Sequence, residues 1–395
     1  MESVEQMINR LCPEGVEFAK IGETCSVGTG SSNRQDASEN GQYPFFVRSK
    51  EVLLNNSYEF DEEAILIPGE GGIGDIFHYY KGKYALHQRT YRIHPTSDAI
   101  NTKFLYYYMY ANFKKFILMK AVSATVTSIR KPMIDNFPIP IPPMEIQNRI
   151  VEVLDKMTTL TAELEAELEA RKQQYEYYRN KLLTFNEIGG GIRFMKLGEV
   201  GKFYGGLSGK SKKDFVDGNA KFITYMNVYS NPSLCVDVED KVFIKEGERQ
   251  NTIQYGDILF TGSSETPNEC GMSSVLTSHV EENLYLNSFC FGYRFDDLKD
   301  INPNFMKHLF RSSLLRKAIA KTANGVTRFN VSKKLFAEIE IPLPPMEIQK
   351  RITSILDRFE ALTTDLQSGL PAEIEARRHQ YEYYRNKLLT FDKIA

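Results

Sequence analysis

The sequence contains no tryptophan, which by itself excludes nothing, and it is poor in the residues that build metal and disulfide centres. Its five cysteines, Cys12, Cys25, Cys235, Cys270 and Cys290, are scattered without a CxxC pair. That spacing argues against zinc and against a disulfide framework, and for a reducing cytoplasm. The six histidines (His78, His87, His94, His279, His308, His379) show no HExxH spacing and no evident metal set. No apolar run approaches the ~18 residues of a membrane span, so no membrane contact is expected. The opening MESVEQMINRL is acidic and amphipathic, unlike a signal peptide. A strong charge of one sign is missing too: the net charge is −2, which is not the footprint of a simple nucleic-acid binder.

What the chain does have is length and repetition. Its 395 residues exceed what one core usually holds and fit two or more domains. The charge is uneven: residues 18–143 and 189–343 each carry +2, and the remainder carries −6. Any polyanion-binding surface must therefore be local to those two segments. IPIPPMEIQNRIVEVLDKMTTL from Ile139 returns as IPLPPMEIQKRITSILDRFEAL from Ile341, an offset of 202. EARKQQYEYYRNKLLTF from Glu169 returns as EARRHQYEYYRNKLLTF from Glu375, an offset of 206. The second copy thus carries four extra residues, Ser368-Gly369-Leu370-Pro371. A fainter echo, AKIGE at Ala19 and MKLGE at Met195, opens each half. Between these anchors the halves barely resemble each other. The order is variable segment, near-identical segment, variable segment, near-identical segment.

The near-identical segments read as long helices. In the first, apolar residues fall at Ile146, Ile150, Val153, Met157, Leu160, Leu164, Leu168, Tyr175, Tyr178, Leu182 and Phe185, a heptad seam with a four-residue stutter. The second follows from Ile348 to Phe391. The proline pairs at 142–143 and 344–345 end an extended stretch and start each helix. Gly369 and Pro371 do not suit a helix interior, so the second helix should break there. The variable segments read as mixed α/β. EEAILIPGEG and YGDILFTGSS are strands running into Gly/Ser loops. INTKFLYYYMYANFKKFI and INPNFMKHLFRSSLLRKAI are matching helices capped by Asn101 and Asn302.

Three motifs look catalytic and are read otherwise. Gly69-Glu70-Gly71-Gly72-Ile73-Gly74 matches GxGxxG, but a hairpin pattern follows where a dinucleotide site needs a helix. Gly205-Gly206-Leu207-Ser208-Gly209-Lys210-Ser211 is one residue short of a Walker A loop. Asn302-Pro303-Asn304-Phe305 resembles the catalytic motif of amino-methyltransferases, yet Asn101-Thr102-Lys103-Phe104 holds the same place in the other half, so a helix cap explains both.

The order of elements, the IPxPPxEIQ stretch, the AELEAELEARKQQYEYYRNKLL helix and the KxGE openings resemble the specificity subunits of type I restriction–modification systems. The resemblance spans essentially the whole chain. It implies an α+β (mixed) fold: two α/β target-recognition domains alternate with two long helices that pair as an antiparallel coiled coil, with an internal pseudo-twofold. The expected divisions are 1–143, a first recognition domain with a short N-terminal helix; 144–188, a central spacer helix; 189–343, a second recognition domain; and 344–395, a C-terminal spacer helix. The implied partners are double-stranded DNA with a bipartite target, two methyltransferase subunits docked on the helices, and restriction/motor subunits joined through the methylase. No cofactor and no catalysis by the chain itself are implied.

Phosphate contacts need Lys, Arg or small donors on loops, and base contacts need Arg, Lys, Asn, Gln, Ser or Thr near a groove. In the first half the candidates are Ser31, Ser32, Asn33, Arg34, Arg48, Lys50, Gln88 and Arg89. The stretch SATVTSIRK adds Thr125, Thr127, Ser128, Arg130 and Lys131. In the second they are Ser208, Lys210, Lys212, Lys213, Tyr225, Asn227, Thr261, Ser263 and Ser264, with Asn324, Thr327, Arg328 and Asn330 from NGVTRFN. On the helices, Glu145, Gln147, Arg171, Tyr175, Tyr178, Glu347, Gln349, Arg377, Tyr381 and Tyr384 are the partner-binding candidates. The helical spacing of the tyrosines favours packing over base stacking. Two rivals remain at this point. One is a self-contained adenine-N6 DNA methyltransferase, which needs a cofactor loop that is not convincing here. The other is a coiled-coil scaffold without DNA, against which the basic loops argue.

Overall fold

The structure is a computed structural model describing residues 2–72, 74–120, 128–185, 192–365 and 367–394. It mixes helices with several sheets and divides into two units. Unit one is Met1–Glu165 with Glu373–Ala395, and unit two is Ala166–Ala372. Each unit therefore takes its helical part from two distant stretches of chain. The central helix, Met144–Leu182, is continuous for 39 residues and gives its first half to unit one and its second half to unit two.

In unit one the faint AKIGE anchor meets the start of the near-identical repeat. Phe18–Lys20 pairs antiparallel with Pro138–Pro140, with Ala19 opposite Ile139. The strand carries two prolines, which cannot donate to a ladder, and the ribbon stops at two strands. This ribbon closes a variable segment built on a six-stranded sheet. The strand order is Cys25–Thr29, Thr90–Pro95, Phe60–Pro68, His78–Leu86, Tyr43–Phe46, Val52–Asn55. Helix Thr102–Lys120 packs on the central strand, and Phe104, Met109, Phe113 and Ile117 enter the same core as Ile65 and Ile93. After the ribbon the chain passes Pro142 and Pro143 and enters the central helix.

Unit two closes in the same register. Arg193–Lys196 pairs antiparallel with Glu340–Leu343, with Met195 opposite Ile341. What is enclosed differs: a four-stranded antiparallel sheet (Gly201–Gly205, Cys290–Phe295, Ile258–Thr261, Ser273–Val275) and two three-stranded sheets. The expected matching helices also differ. Unit one has one helix, whereas unit two has Pro303–Phe310 and Ser313–Ala320. Ser312 breaks the run: its hydroxyl accepts from the Leu315 N–H and donates to the Leu309 carbonyl. Beside it Arg311 turns inward onto the Ser273 and Tyr229 carbonyls.

One constellation recurs in both units. Gln147 is fully buried; its amide nitrogen donates to the carbonyls of Ala99 and Pro142, both at 2.7 Å, and its oxygen accepts from the Asn101 N–H at 2.8 Å. Gln349 is fully buried and does the same with Asp300, Pro344 and Asn302 at 2.8, 2.8 and 2.9 Å. Asn101 and Asn302 in turn accept from backbone N–H groups at the starts of their helices. A second staple lies two turns on. Lys103 meets Asp155 at 2.7 Å, and Lys307 meets Asp357 at 2.8 Å.

The heptad seam only partly matches what is buried. Leu154, outside the seam, is fully buried, while Leu160, inside it, is 39% exposed. Regular steps follow the helix's average face, but burial follows the side on which the domain core lies. The insertion in the second copy does interrupt the helix, which runs Met346–Thr364 and resumes as Leu370–Leu388. Gly369 is required by close approach: a Cβ there would lie 2.7 Å from the carbonyl oxygens of Ala361 and Asp365.

Replacing Gln349 with Ala strands two carbonyls and one N–H out of water. Gln349→Ala should lower stability by about 2–4 kcal/mol, with the amides at the start of Pro303–Phe310 losing hydrogen-exchange protection first. Unchanged urea unfolding and exchange would remove Gln349 from this role.

Candidate nucleic-acid interface

In unit one, strand Phe60–Pro68 runs into the glycine-rich loop at Gly69, and a hairpin of strands follows it, not a helix. Gly71, Gly72 and Gly74 take positive φ there. Glu70 on this loop bridges to Ser128, and the Ile129 N–H donates to Gly69. The loop thereby gathers Arg48 and Arg89, whose guanidiniums reach Glu70 at 3.3 and 2.8 Å. Arg34 lines the same depression of about 200 Å³, with His87 buried beside it. Burial first, then the charges of Arg48 and Arg89, hold the His87 imidazole below its ordinary value. Gln88 holds the Asn33 side chain, and Ser32 pairs with His87. Ser31 and Ser32 donate to Glu59. The structure therefore brings together Ser31, Ser32, Asn33, Arg34, Arg48, Gln88, Arg89 and Ser128. A carboxylate shared by two exposed arginines orients their free N–H edges before anything binds.

Three candidates of unit one lie apart. Lys50 lines a different cavity, of about 950 Å³, with Phe46 and Tyr80. Lys131 is tied to Asp135 of its own short helix at 3.1 Å, and Arg130 immediately precedes that helix. Thr125 and Thr127 lie outside the described residues.

Unit two uses the corresponding strand. Ile258–Thr261 leads to Ser263–Ser264, which pairs with Phe329–Val331, and that strand pairs back on Ala323–Asn324. The NGVTRFN stretch is thus a hairpin with Gly325 at φ +151°. Asn324, Thr327, Arg328 and Asn330 are exposed on it. The Arg328 Nε donates to the Ser263 hydroxyl at 3.1 Å, and its guanidinium sits over the exposed Phe289 ring. Ser264 lies 3.4 Å from Glu269, and the Tyr225 hydroxyl donates to the Ser263 carbonyl.

Other candidates of unit two are engaged by the fold. Thr261 is fully buried and accepts from the Met272 N–H. The Asn227 side chain pins Cys235 through both its backbone groups. Ser208 exchanges two backbone bonds with the Gln250 side chain. Lys210, with 6% of its side chain exposed, reaches Glu248 at 2.6 Å and the Phe243 carbonyl at 2.7 Å, so its charge is neutralised within the protein. Its neighbours Lys212 and Lys213 stay exposed on a short 3-10 turn.

On the helices, burial takes Gln147 and Gln349 out of the partner-binding set. Tyr175 bonds His308, and Tyr175 and Tyr178 both stack on Phe359. Tyr381 is half-buried against the core of unit one. Arg171 and Arg377 pair with Glu167 and Glu373 one turn back. Glu145, Glu347 and Tyr384 are exposed. His308, Asp357 and Glu360 converge closely enough to hold a metal, a grouping that histidine spacing did not reveal. Lys307 fills it, meeting both carboxylates at 2.8 and 2.6 Å. Asn302 stands at a helix cap with Pro303 in the first turn, which accounts for the methyltransferase-like tetrapeptide.

The family model of the type I restriction modification DNA specificity domain matches this chain twice, over residues 13–171 and 190–376. The chain belongs to that family. Its role is recognition of DNA, and it is not the catalytic subunit. It is 35% identical over 273 residues to the EcoR124I/EcoR124II specificity subunit of Escherichia coli, a match spanning 65% of this chain and 63% of that one. It is 28% identical over 391 residues to a putative specificity subunit of Haemophilus influenzae, covering 95% and 96% of the two chains. Among solved structures, a chain from work on assembly of the type I restriction–modification system matches with TM-score 0.63 at 15% identity, covering 95% and 98%. The M. genitalium S subunit matches at 0.52 and 14%, covering 95% of both. At such identities the structures speak to the fold alone. Among the described residues no helix is long and apolar enough to cross a membrane.

The Lys210–Glu248 pair sets a pH dependence. Hydrogen bonds from Lys210, then Gln250 and the Lys245 backbone, hold the Glu248 carboxyl down to about 2, against an ordinary 4.5. A depressed folded-state value contributes stability above the ordinary value and loses it as the pH falls through the depressed one. Glu248→Gln should therefore unfold at lower urea than the parent at pH 7, with the gap closing between 4.5 and about 2. A gap constant across that window would assign the effect to something other than the charged pair.

Proposed function

We propose that the chain is the target-reading subunit of a type I restriction–modification complex in the cytoplasm, with each variable segment reading one half of a bipartite DNA site. The divisions 1–143, 144–188, 189–343 and 344–395 are its working parts. The long helices pair as an antiparallel coiled coil with an internal pseudo-twofold, space the readers, and dock two methyltransferase subunits. Restriction and motor subunits join through the methylase, and the chain itself needs no cofactor. The observation that carries this reading is the duplicated frame. A ribbon in one register and a glutamine with one set of partners recur in each unit, around sheets of different topology. Such a frame lets the reader change while the helices stay the same. Half-site spacing on DNA is geometric and needs a rigid ruler. A helix of 39 residues supplies about 58 Å of it at ~1.5 Å per residue.

The loops that leave the central strands, with Arg48 and Arg89 in one unit and Arg328 in the other, are the base-reading surfaces, and Lys212 and Lys213 contact phosphate. Exchanging residues 18–138 for those of another family member should change one half-site only, read by mapping methylated adenines. A change in both half-sites would contradict the two-reader arrangement. Neutralising Lys212 and Lys213 together should flatten the salt dependence of DNA binding, since each phosphate contact contributes about 0.9 to the log–log slope. Replacing Arg328 should instead relax specificity by ~1–3 kcal/mol at one base. An unchanged slope in the double variant would rule out the phosphate assignment.

A further inference from the structure

The hairpin that carries Arg328 breaks a local rule. Its turn, Gly325-Val326-Thr327-Arg328, joins Ala323–Asn324 to Phe329–Val331. Turns favour Gly, Asn, Asp, Ser and Pro, whereas Val and Thr belong in strands. Here Val326 and Thr327 stand side by side in the turn. Val326 is 91% exposed, more than any other large apolar side chain among the described residues. One exposed apolar residue needs no explanation on its own. This one sits where backbone propensity and solvation both argue against it, and such conflicts gather at functional positions.

The fold also fixes where the tip lies. Gly325 takes φ +151°, and a Cβ there would run into the Arg328 carbonyl, so the turn is closed on itself. Phe329–Val331 pairs on both sides, with Ala323–Asn324 and with Ser263–Ser264. The Val331 N–H reaches the Gly262 carbonyl at 3.0 Å and ties the hairpin to the end of strand Ile258–Thr261. Two residues after Val326, the Arg328 Nε is engaged by Ser263 and the guanidinium lies over Phe289. An apolar side chain and a steadied cationic fork are thus displayed together. Their backbones are at most about 7 Å apart, the span of two base-pair steps of ~3.4 Å. In the major groove, a base edge offers one apolar group, the C5-methyl of thymine.

We propose that Val326 reads a thymine. Its side chain packs on the C5-methyl of a thymine in the half-site of unit two, within about two base pairs of the base that Arg328 contacts. A cytosine at that position lacks the methyl and brings an N4 amino group against the valine, where its hydrogen bond to water is lost without replacement. The inference rests on the two-reader arrangement above and adds what one reader selects.

The test uses the full chain assembled with its methyltransferase. Mapping methylated adenines gives both half-sites, and the one that survives the exchange of residues 18–138 belongs to unit two. Each thymine in it, on either strand, is replaced in turn by uracil, which lacks only the methyl. Duplex binding is then measured at one salt concentration. A single uracil position should weaken binding about fourfold, the value of one buried methyl-sized group. Val326→Ser alters a side chain that makes no core contact, so the variant keeps its fold. It should bind the thymine duplex about as weakly as the parent binds the uracil one, and should no longer distinguish the two. Four results would overturn the proposal. The half-site might contain no thymine on either strand. Every uracil duplex might bind like the parent duplex, as it would if Val326 were wedged between base steps. All uracils might weaken binding alike, which marks sequence-dependent stiffness and not a contact. Finally, Val326→Ser might keep the parent's discrimination, which gives the methyl to another group. Any of these beside a successful exchange of 18–138 removes this contact and leaves the two readers standing. An exchange that alters neither half-site or both removes the readers, and this contact with them.

Discussion

The amide of Gln147, and again that of Gln349, is wholly out of water and makes three hydrogen bonds. Each bond goes to backbone: one to the segment that follows the strand ribbon, and two to the loop that leads into and caps the domain helix. A buried amide left partly unpaired is costly, so these two stretches are held in one arrangement or lose stability together. This side chain and the Lys–Asp pair two turns on tie each variable segment to its long helix. Everything else in the segment is free to differ. It does differ, as a six-stranded sheet in one unit and a four-stranded sheet with two smaller ones in the other.

The cations divide into those the fold consumes and those it leaves facing solvent. Lys210 and Lys307 are nearly enclosed and neutralised by carboxylates. Arg311 is buried deeply enough that desolvation brings its guanidinium down to about 10, and it donates to backbone carbonyls. Arg48 and Arg89 are different: they share Glu70 while keeping about half of each side chain exposed. Arg328 is steadied by Ser263 and Phe289 at the root of an exposed hairpin. A cation held at one edge and free at the other loses little further freedom on binding, which suits recognition of a fixed pattern of acceptors. A net charge of −2 hides this, because the sum counts consumed and available charges alike.

Duplication did not make the units equal. Five changes of context separate them: the helix broken at Ser312, the insertion at Ser368–Pro371, the metal-like trio filled by Lys307, the N-terminal helix Val4–Leu11 packed in one cluster with Ile146, and the exposed Ile348. All but the first touch the helical frame, not the sheets. The repeated sequence therefore recurs in each unit among different neighbours.

The sequence alone determined what depends on near neighbours or on identity between copies. The repeat and its offsets, the proline starts of the long helices, the caps at Asn101 and Asn302, and the break at Gly369 all rest on a few consecutive residues. So does the rejection of the dinucleotide and Walker-like loops, which turned on what immediately followed the first and on the spacing within the second. The burial of Gln147 was not legible, because its partner Asn101 lies 46 residues away. Lys210 read as a phosphate contact because Glu248, 38 residues on, is invisible in a local window. Glu70 stood only as the variable position of the GxGxxG match, yet it reaches Arg48, 22 residues away. Leu154 and Leu160 differ in burial because the core lies to one side of the helix, and no periodicity within the helix says which side. Tertiary structure decided these points for one reason: the electrostatic and packing partner of each side chain is set by chain segments that folding brings together and sequence order keeps apart.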